Sequence, residues 1–267
     1  MKPVAFEYAQ PATVAEAVRL LSSTPEAKVL AGGQTLIPTM KQRLTRPATI
    51  IDLAGIADLK GIHKAGNAIG IGAMTTHAEI ARDAAIRASV PALAKLADGI
   101  GDAQVRHRGT IGGSIANNDP AADWPAAVLA LGATIVTNKR QIGADQFFKG
   151  LFSTALGLDE VITAIGFPVP EKAAYAKFEQ RASRFALTGV FVAKLASGVR
   201  AAVTGAGEGG VFRSKEIEAA LASNFSAAAL AGVKVPAAGL LSDLHGKPDY
   251  RAALIVAMAE RAVAAAG

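Results

Sequence analysis

The sequence predicts an α+β protein built in two parts, and three observations carry that prediction. A Thr followed three residues later by Glu, the pattern of a capping box, opens two stretches of helical apolar spacing, at Thr13–Glu16 and at Thr76–Glu79. Short apolar runs bounded by glycine and turn residues alternate with these helices. From about residue 170 the texture changes to three consecutive strand-like runs followed by helical ones, as in a second α+β domain. The expected division is residues 1–170, in subdomains of approximately 1–55 and 56–170, and then residues 171–267.

Taken in order, "TVAEAVRLL" is a helix behind its Thr13 cap, and "KVLAG" and "TIIDL" are short buried strands. "GIHKAGNAIGIGA" reads as two strands joined by the turn "AGN". "THAEIARDAAI" is helical, and Pro91 opens the helical run "PALAKLAD" at a position where its missing donor does no harm. "GDAQVRHRGTIGGSIANNDPAADW" reads as a long loop. "PAAVLALG" is a helix ending on Gly132, and "ATIVT" is a strand turning through "NKRQ" toward "ADQFF". The second part holds strands at "AAYAKFEQRA", "GVFVAKLA" and "VRAAVTGAG", a helix at "SKEIEAALA" and a C-terminal helix from Tyr250 to about Ala265.

Composition removes several function classes. The chain has 267 residues, 51% of them hydrophobic, so a sizeable core is available. It has no cysteine, which excludes disulfides, thiol nucleophiles and cysteine-held iron–sulfur clusters in this chain. The net charge of +6 is spread along the sequence without a basic block, which argues against nucleic-acid binding. "MKPVAFEYAQ" lacks the apolar run of about 7–15 residues of a signal peptide, and "AALIVAMA" is far short of the roughly 20 residues of a membrane span. The expected location is cytoplasmic, with no membrane insertion.

Two diglycine stretches stand out, "LAGGQT" at 30–35 and "TIGGSI" at 110–115, each followed by a hydrogen-bonding side chain. Neither matches the dinucleotide fingerprint GxGxxG, and no P-loop consensus occurs. Glycines let backbone N–H groups converge on an oxyanion, and the first stretch leads into a helix at "LIPTMKQR" whose N-terminus favours an anion. Each pair alone reads equally as a tight turn. Two facing segments could grip a diphosphate from both sides.

Here the chain resembles the FAD-binding medium subunits of molybdenum hydroxylases, as in carbon monoxide dehydrogenase, and the matching flavin domain of xanthine dehydrogenase. The resemblance rests on "AGGQTLIPTMKQRL", "IGAMTTHAEIA", "VRHRGTIGGSIANNDPAADWPAAVLALGA" and "ADQFF", and runs on through "YAKFEQRAS" and "DYRAALIVAMAERAV". It implies a two-subdomain FAD-binding fold of the vanillyl-alcohol oxidase (PCMH) type, followed by a C-terminal α+β domain that covers the flavin. Ala31, Gly32, Gly33, Gln34 and Thr35, with Thr110, Ile111, Gly112, Gly113 and Ser114, would then embrace the FAD pyrophosphate, with Lys28 and Leu30 just before the first loop. Asp123 would hold a polar part of the cofactor, and Ile100, Lys177 and Phe185 would lie close to the isoalloxazine. The implied partners are an iron–sulfur small subunit, a molybdenum-cofactor large subunit, and NAD, a quinone or another electron acceptor. The sequence departs from the family at His107, usually Asn, and at Arg184, commonly Asp, which reverses the charge beside the expected flavin-facing residue.

Other chemistries find little support. The four histidines, His63, His77, His107 and His245, show no metal-ligand spacing and read as surface or capping residues. "GGSIA" is not a nucleophile elbow. Asp119 precedes a proline, so it does not share a helix face with Asp123 and reads as a turn residue. Trp124 reads as a packing residue. The reading is therefore an electron-transfer flavoprotein subunit with no catalytic residue of its own. The rivals are a self-sufficient FAD-dependent oxidoreductase of the same fold, and a non-enzymatic binding protein whose diglycines are mere turns.

Overall fold

A computed structural model describes residues 2–266. The first sheet has three short parallel strands, β1 (Glu7–Ala9), β2 (Ala27–Leu30) and β3 (Thr49–Asp52), in the order β1-β3-β2. Parallel neighbours need crossovers, and these are α1 (Val14–Ser23) and α2 (Leu36–Lys41). Thr13 caps α1 by accepting the Glu16 N–H at 3.2 Å, whereas the Glu16 carboxylate reaches the Ala12 N–H at 3.0 Å, one residue outside the expected box. The apolar face of α1, with Ala17 buried, packs with Ile51 and Leu53 in a small core of its own.

The second sheet begins with the hairpin β4 (Ile62–Ala65) and β5 (Ala68–Gly72), whose turn contains Gly66 at φ +57°. Six helices follow: α3 (His77–Arg82), α4 (Ala84–Ser89), α5 (Pro91–Asp98), α6 (Ala103–Arg108), α7 (Ile111–Asn117) and α8 (Trp124–Ala130). The chain then adds β6 (Thr134–Thr137), β7 (Gln141–Gly143), the short helix α9 (Ala144–Phe147), the small hairpin β8 (Phe148–Gly150) and β9 (Ser153–Thr154), and β10 (Ile162–Pro168). The sheet order is β4-β5-β10-β6-β7. Its central strand β10, absent from the sequence expectations, pairs antiparallel on both sides.

The third sheet is an antiparallel meander of β11 (Lys172–Glu179), β12 (Ala186–Leu195), β13 (Gly198–Thr204) and β14 (Phe212–Arg213), completed by α10 (Lys215–Ser223) and α11 (Pro248–Ala265). Side chains alternate faces along a strand. On β12, Phe191, Ala193 and Leu195 enter the main core with Trp124, Phe147 and Phe167, while Val190 and Val192 enter a second core with α10 and α11. Burial on both faces explains why β12 is apolar nearly throughout.

The expected loop over residues 101–124 is corrected by the structure, which folds two of its stretches into α6 and α7. Each short helix is capped by a side chain: Asp102 accepts the Val105 N–H at 2.8 Å, and Thr110 accepts the Gly113 N–H at 3.1 Å. Two glycines weaken α7 intrinsically, but a Cβ on Gly112 would lie 2.6 Å from the Ala73 Cβ, so close packing on Ala73, just after β5, outweighs propensity there. α7 ends on Asn118 in the left-handed conformation, φ 46°.

Candidate functional site

The two diglycine segments, roughly eighty residues apart in sequence, abut in space. Gly32 packs so tightly on Arg108 and Gly109 that a Cβ would collide with the Arg108 carbonyl and lie 2.7 Å from the Gly109 Cα. A Cβ on Gly113 would lie 3.3 Å from that of Ala31. Gly33 is at φ +73°, a conformation that disfavours any side chain.

The segments differ in what they offer a ligand. Among the described residues, the backbone N–H groups of Gly32, Gly33, Gln34 and Thr35 are not taken by other backbone carbonyls, and they precede α2. In the second segment the N–H groups of Ile111, Gly112 and Ser114 go to the carbonyls of Thr75, Ala73 and Thr110, and that of Gly113 to the Thr110 hydroxyl. The first segment can therefore supply several N–H donors. The second supplies a glycine surface and the half-buried Ser114. This donor set suits a pyrophosphate, an anion that needs several N–H groups and a backbone it can approach closely. Lys28 and Leu30 share one face of β2, Lys28 exposed and Leu30 half-buried, while Gln34 folds back toward the Gly32 carbonyl at 3.4 Å.

A second corner forms where the helices meet the third sheet. Asp123, at the start of α8, is buried and accepts the Tyr175 hydroxyl at 2.5 Å and the Lys177 ammonium at 3.2 Å. Burial pushes its carboxyl up, and Lys177 and Tyr175 hold it back. The Tyr175 phenol is pushed well up by burial and by the Asp123 charge. Lys177 Nζ also donates to the carbonyls of Gly99 at 2.9 Å and Arg184 at 2.8 Å, which ties Ile100 and Phe185 to the same ammonium. Arg184 takes a left-handed φ of 61° and donates to the Gly101 carbonyl at 3.1 Å, so this departure from the family clamps the β11–β12 loop onto the segment after α5. Phe185 is 47% exposed and borders a cleft of about 310 Å³ shared with Gln180, Asp119 and Arg251.

The two corners are braced together. Arg106 on α6 donates to the carbonyls of Ile100 and Gly101 at 3.1 and 3.0 Å. Trp124 donates its indole N–H to His77 Nδ1 at 3.1 Å, the His77 backbone N–H meets the Gly109 carbonyl at 3.0 Å, and the His77 ring fills the space a Cβ on Gly109 would need. The expectation that His77 is a surface or capping residue is thus corrected. It is buried, and desolvation, helped by the Arg106 charge, lowers its pKa to about 4. His63, His107 and His245 are exposed, and Trp124 is a fully buried packing residue.

The structure brings Ala31 together with Gly113 and Gly32 together with Arg108 and Gly109, and Asp123 and Lys177 together with the backbone around Ile100 and Phe185. Tyr175, Gly189 and Arg106, absent from the sequence reading, and His77, read there as a surface or capping residue, hold these groups in place. One signal was available, because a lone glycine inside the apolar run of β12 marks a close approach. Among the described residues, no group of three or more His, Asp or Glu could hold a metal ion, and no helix is long and apolar enough to cross a membrane.

Comparisons with known proteins identify the family. A family model described as the FAD binding domain in molybdopterin dehydrogenase matches residues 4–170. The chain is 36% identical to the nicotine 6-hydroxylase medium subunit of Paenarthrobacter nicotinovorans, over all of this chain and 99% of that one. Among solved structures it is similar to carbon monoxide dehydrogenase of Hydrogenophaga pseudoflava, with a TM-score of 0.88, 36% identity and coverage of 100% and 98% of the two chains. It is similar also to quinoline 2-oxidoreductase of Pseudomonas putida 86, with a TM-score of 0.89, 30% identity and the same coverage. The match across the flavin region and the full-length likeness place FAD as the cofactor, and the chain belongs to the FAD-binding medium subunits of the molybdenum hydroxylases.

Proposed function

We propose that this chain is the electron-transfer subunit of a molybdenum hydroxylase, with residues 1–170 binding FAD and residues 171–267 closing over the flavin. Ala31 to Thr35 and Thr110 to Ser114 embrace the pyrophosphate, with Lys28 and Leu30 at its approach. Asp123 holds a polar part of the cofactor, and Ile100, Lys177 and Phe185 border the isoalloxazine. The observation that carries this reading is the direct contact of the two diglycine segments beside the unused N–H groups of residues 32–35.

Storage of an electron pair between a one-electron donor and a final acceptor is the chemistry FAD supplies when bound. The chain's own residues bind, orient and shield it: the first segment donates N–H groups, the glycines permit close approach, and Lys177 draws the C-terminal sheet onto residues 99–101. Electrons come from an iron–sulfur small subunit, and the substrate is oxidised on a molybdenum-bearing large subunit. NAD, a quinone or another molecule receives the electrons in the cytoplasm. The absence of cysteine supports this division of labour, since the chain can hold no cluster of its own. The test is isolation of the native complex with metal and flavin analysis. Recovery with iron–sulfur and molybdenum chains and one FAD per copy is expected. Turnover of an organic substrate by the isolated flavin-loaded chain would overturn the subunit assignment.

A further inference from the structure

β11 and β12 pair in a register that sets Lys177 opposite Gly189 and Tyr175 opposite Phe191. Gly189 is the one glycine in a strand whose other residues, Lys194 apart, are apolar or β-branched, a position where glycine weakens a strand. Its reason is visible: a Cβ there would collide with the Tyr175 hydroxyl and lie 2.9 Å from its Cζ. The Tyr175 ring stacks on Phe191 at a centroid distance of 6.2 Å, and the slot at Gly189, two residues away on the same face of β12, receives the hydroxyl. From the slot the hydroxyl donates to Asp123 Oδ1, 52 residues earlier in the chain.

We propose that Tyr175 is a positioning residue for the flavin site, its hydroxyl held in the Gly189 slot so that the Asp123 carboxylate is fixed in orientation with a hydrogen-bond partner on Oδ1. The proposal rests on the reading of Asp123 as part of that site. The charged groups that face Asp123 are Lys177, which favours its anion, and Glu179, which opposes it; both lie on β11 with Tyr175. With Tyr175 and Lys177 each on one carboxylate oxygen, every oxygen keeps a lone pair for a cofactor hydroxyl or N–H. Removing the phenol leaves a buried carboxylate with one partner, and such a group takes up a proton at higher pH.

The test is FAD affinity against pH, read by flavin fluorescence quenching on reconstituted FAD-free protein, for the wild type, Tyr175→Phe, Gly189→Ala and the control Tyr8→Phe. Tyr8 also donates its hydroxyl to an aspartate, Asp52 at 2.7 Å, but far along the chain from this corner. The expected result is an acid limb of FAD binding moved up by about one pH unit in Tyr175→Phe, roughly a tenfold loss of affinity within that limb, with little change above it and none in Tyr8→Phe. Gly189→Ala moves the limb the same way by displacing the hydroxyl. A loss that is uniform with pH, or a Tyr175→Phe profile that overlays the wild type, overturns the proposal. A wild-type chain that takes no FAD at any pH overturns the flavin-site reading itself and this inference with it.

Discussion

Lowering the pH should destabilise this protein through His77. The imidazole is buried, its Nδ1 accepts the Trp124 N–H, and the proton therefore sits on Nε2. A second proton would set N–H against N–H in a place water cannot reach. The folded pKa is held down to about 4, against 6.5 for an ordinary histidine. A depressed histidine pKa means that the unfolded chain takes the proton first. Full stability is thus present above about pH 6.5 and is lost as the pH falls toward 4. Between about pH 7 and pH 5 this linkage amounts to about 2 kcal/mol. The assay is urea unfolding of the FAD-free chain across that window, for the wild type and for His77→Gln, which keeps an acceptor for Trp124 but does not titrate. Subtracting the variant removes the contribution of every other group, including Asp123, whose raised pKa acts in the opposite sense. The reasoning is refuted if the two proteins lose stability in parallel, or if the His77 resonance titrates near its ordinary value.

Other expectations follow from particular contacts. Gly33→Val and Gly113→Val should each abolish FAD retention, the first adding a left-handed strain of about 1–2 kcal/mol; full flavin occupancy of either folded variant would refute the cradle. Lys177→Met should cost about 3 kcal/mol in denaturant unfolding, because it leaves Asp123 buried with only Tyr175. A cost below about 1 kcal/mol would mean the pair is solvated. Asn118→Gly preserves the left-handed backbone of φ 46° but deletes the side-chain bonds to the Gly150 and Ser153 carbonyls at 2.7 and 2.9 Å. It should cost about 2 kcal/mol and speed hydrogen exchange in the β8–β9 hairpin, and unchanged exchange would refute that role.

Much of the fold is legible locally. The Thr76–Glu79 box forms in full, Pro91 opens α5, and the "AGN" turn joins β4 and β5, since each depends on residues a few positions apart. Strand β10 escaped because "ITAIGFP" lies between a loop and a proline with no alternation to mark it; its burial comes from partners on both sides. Helix α7 escaped because its glycines argue against a helix, while the cap by Thr110 and the packing of Gly112 on Ala73 argue more strongly for it.

The candidate site divides in the same way. Beyond the family resemblance that its motifs carry, the sequence by itself determines the α+β class, the capped helices and the paired diglycines. These are local patterns, and local hydrogen bonds and chirality dictate them. Only the tertiary structure decides that the first diglycine keeps its N–H groups available while the second has committed its own, and that His77 is buried against Gly109. It alone decides that Asp123 meets Tyr175 and Lys177 from 52 and 54 residues away. Those outcomes are set by which groups lose water together when three sheets close on one another, and desolvation is a property of neighbours in space.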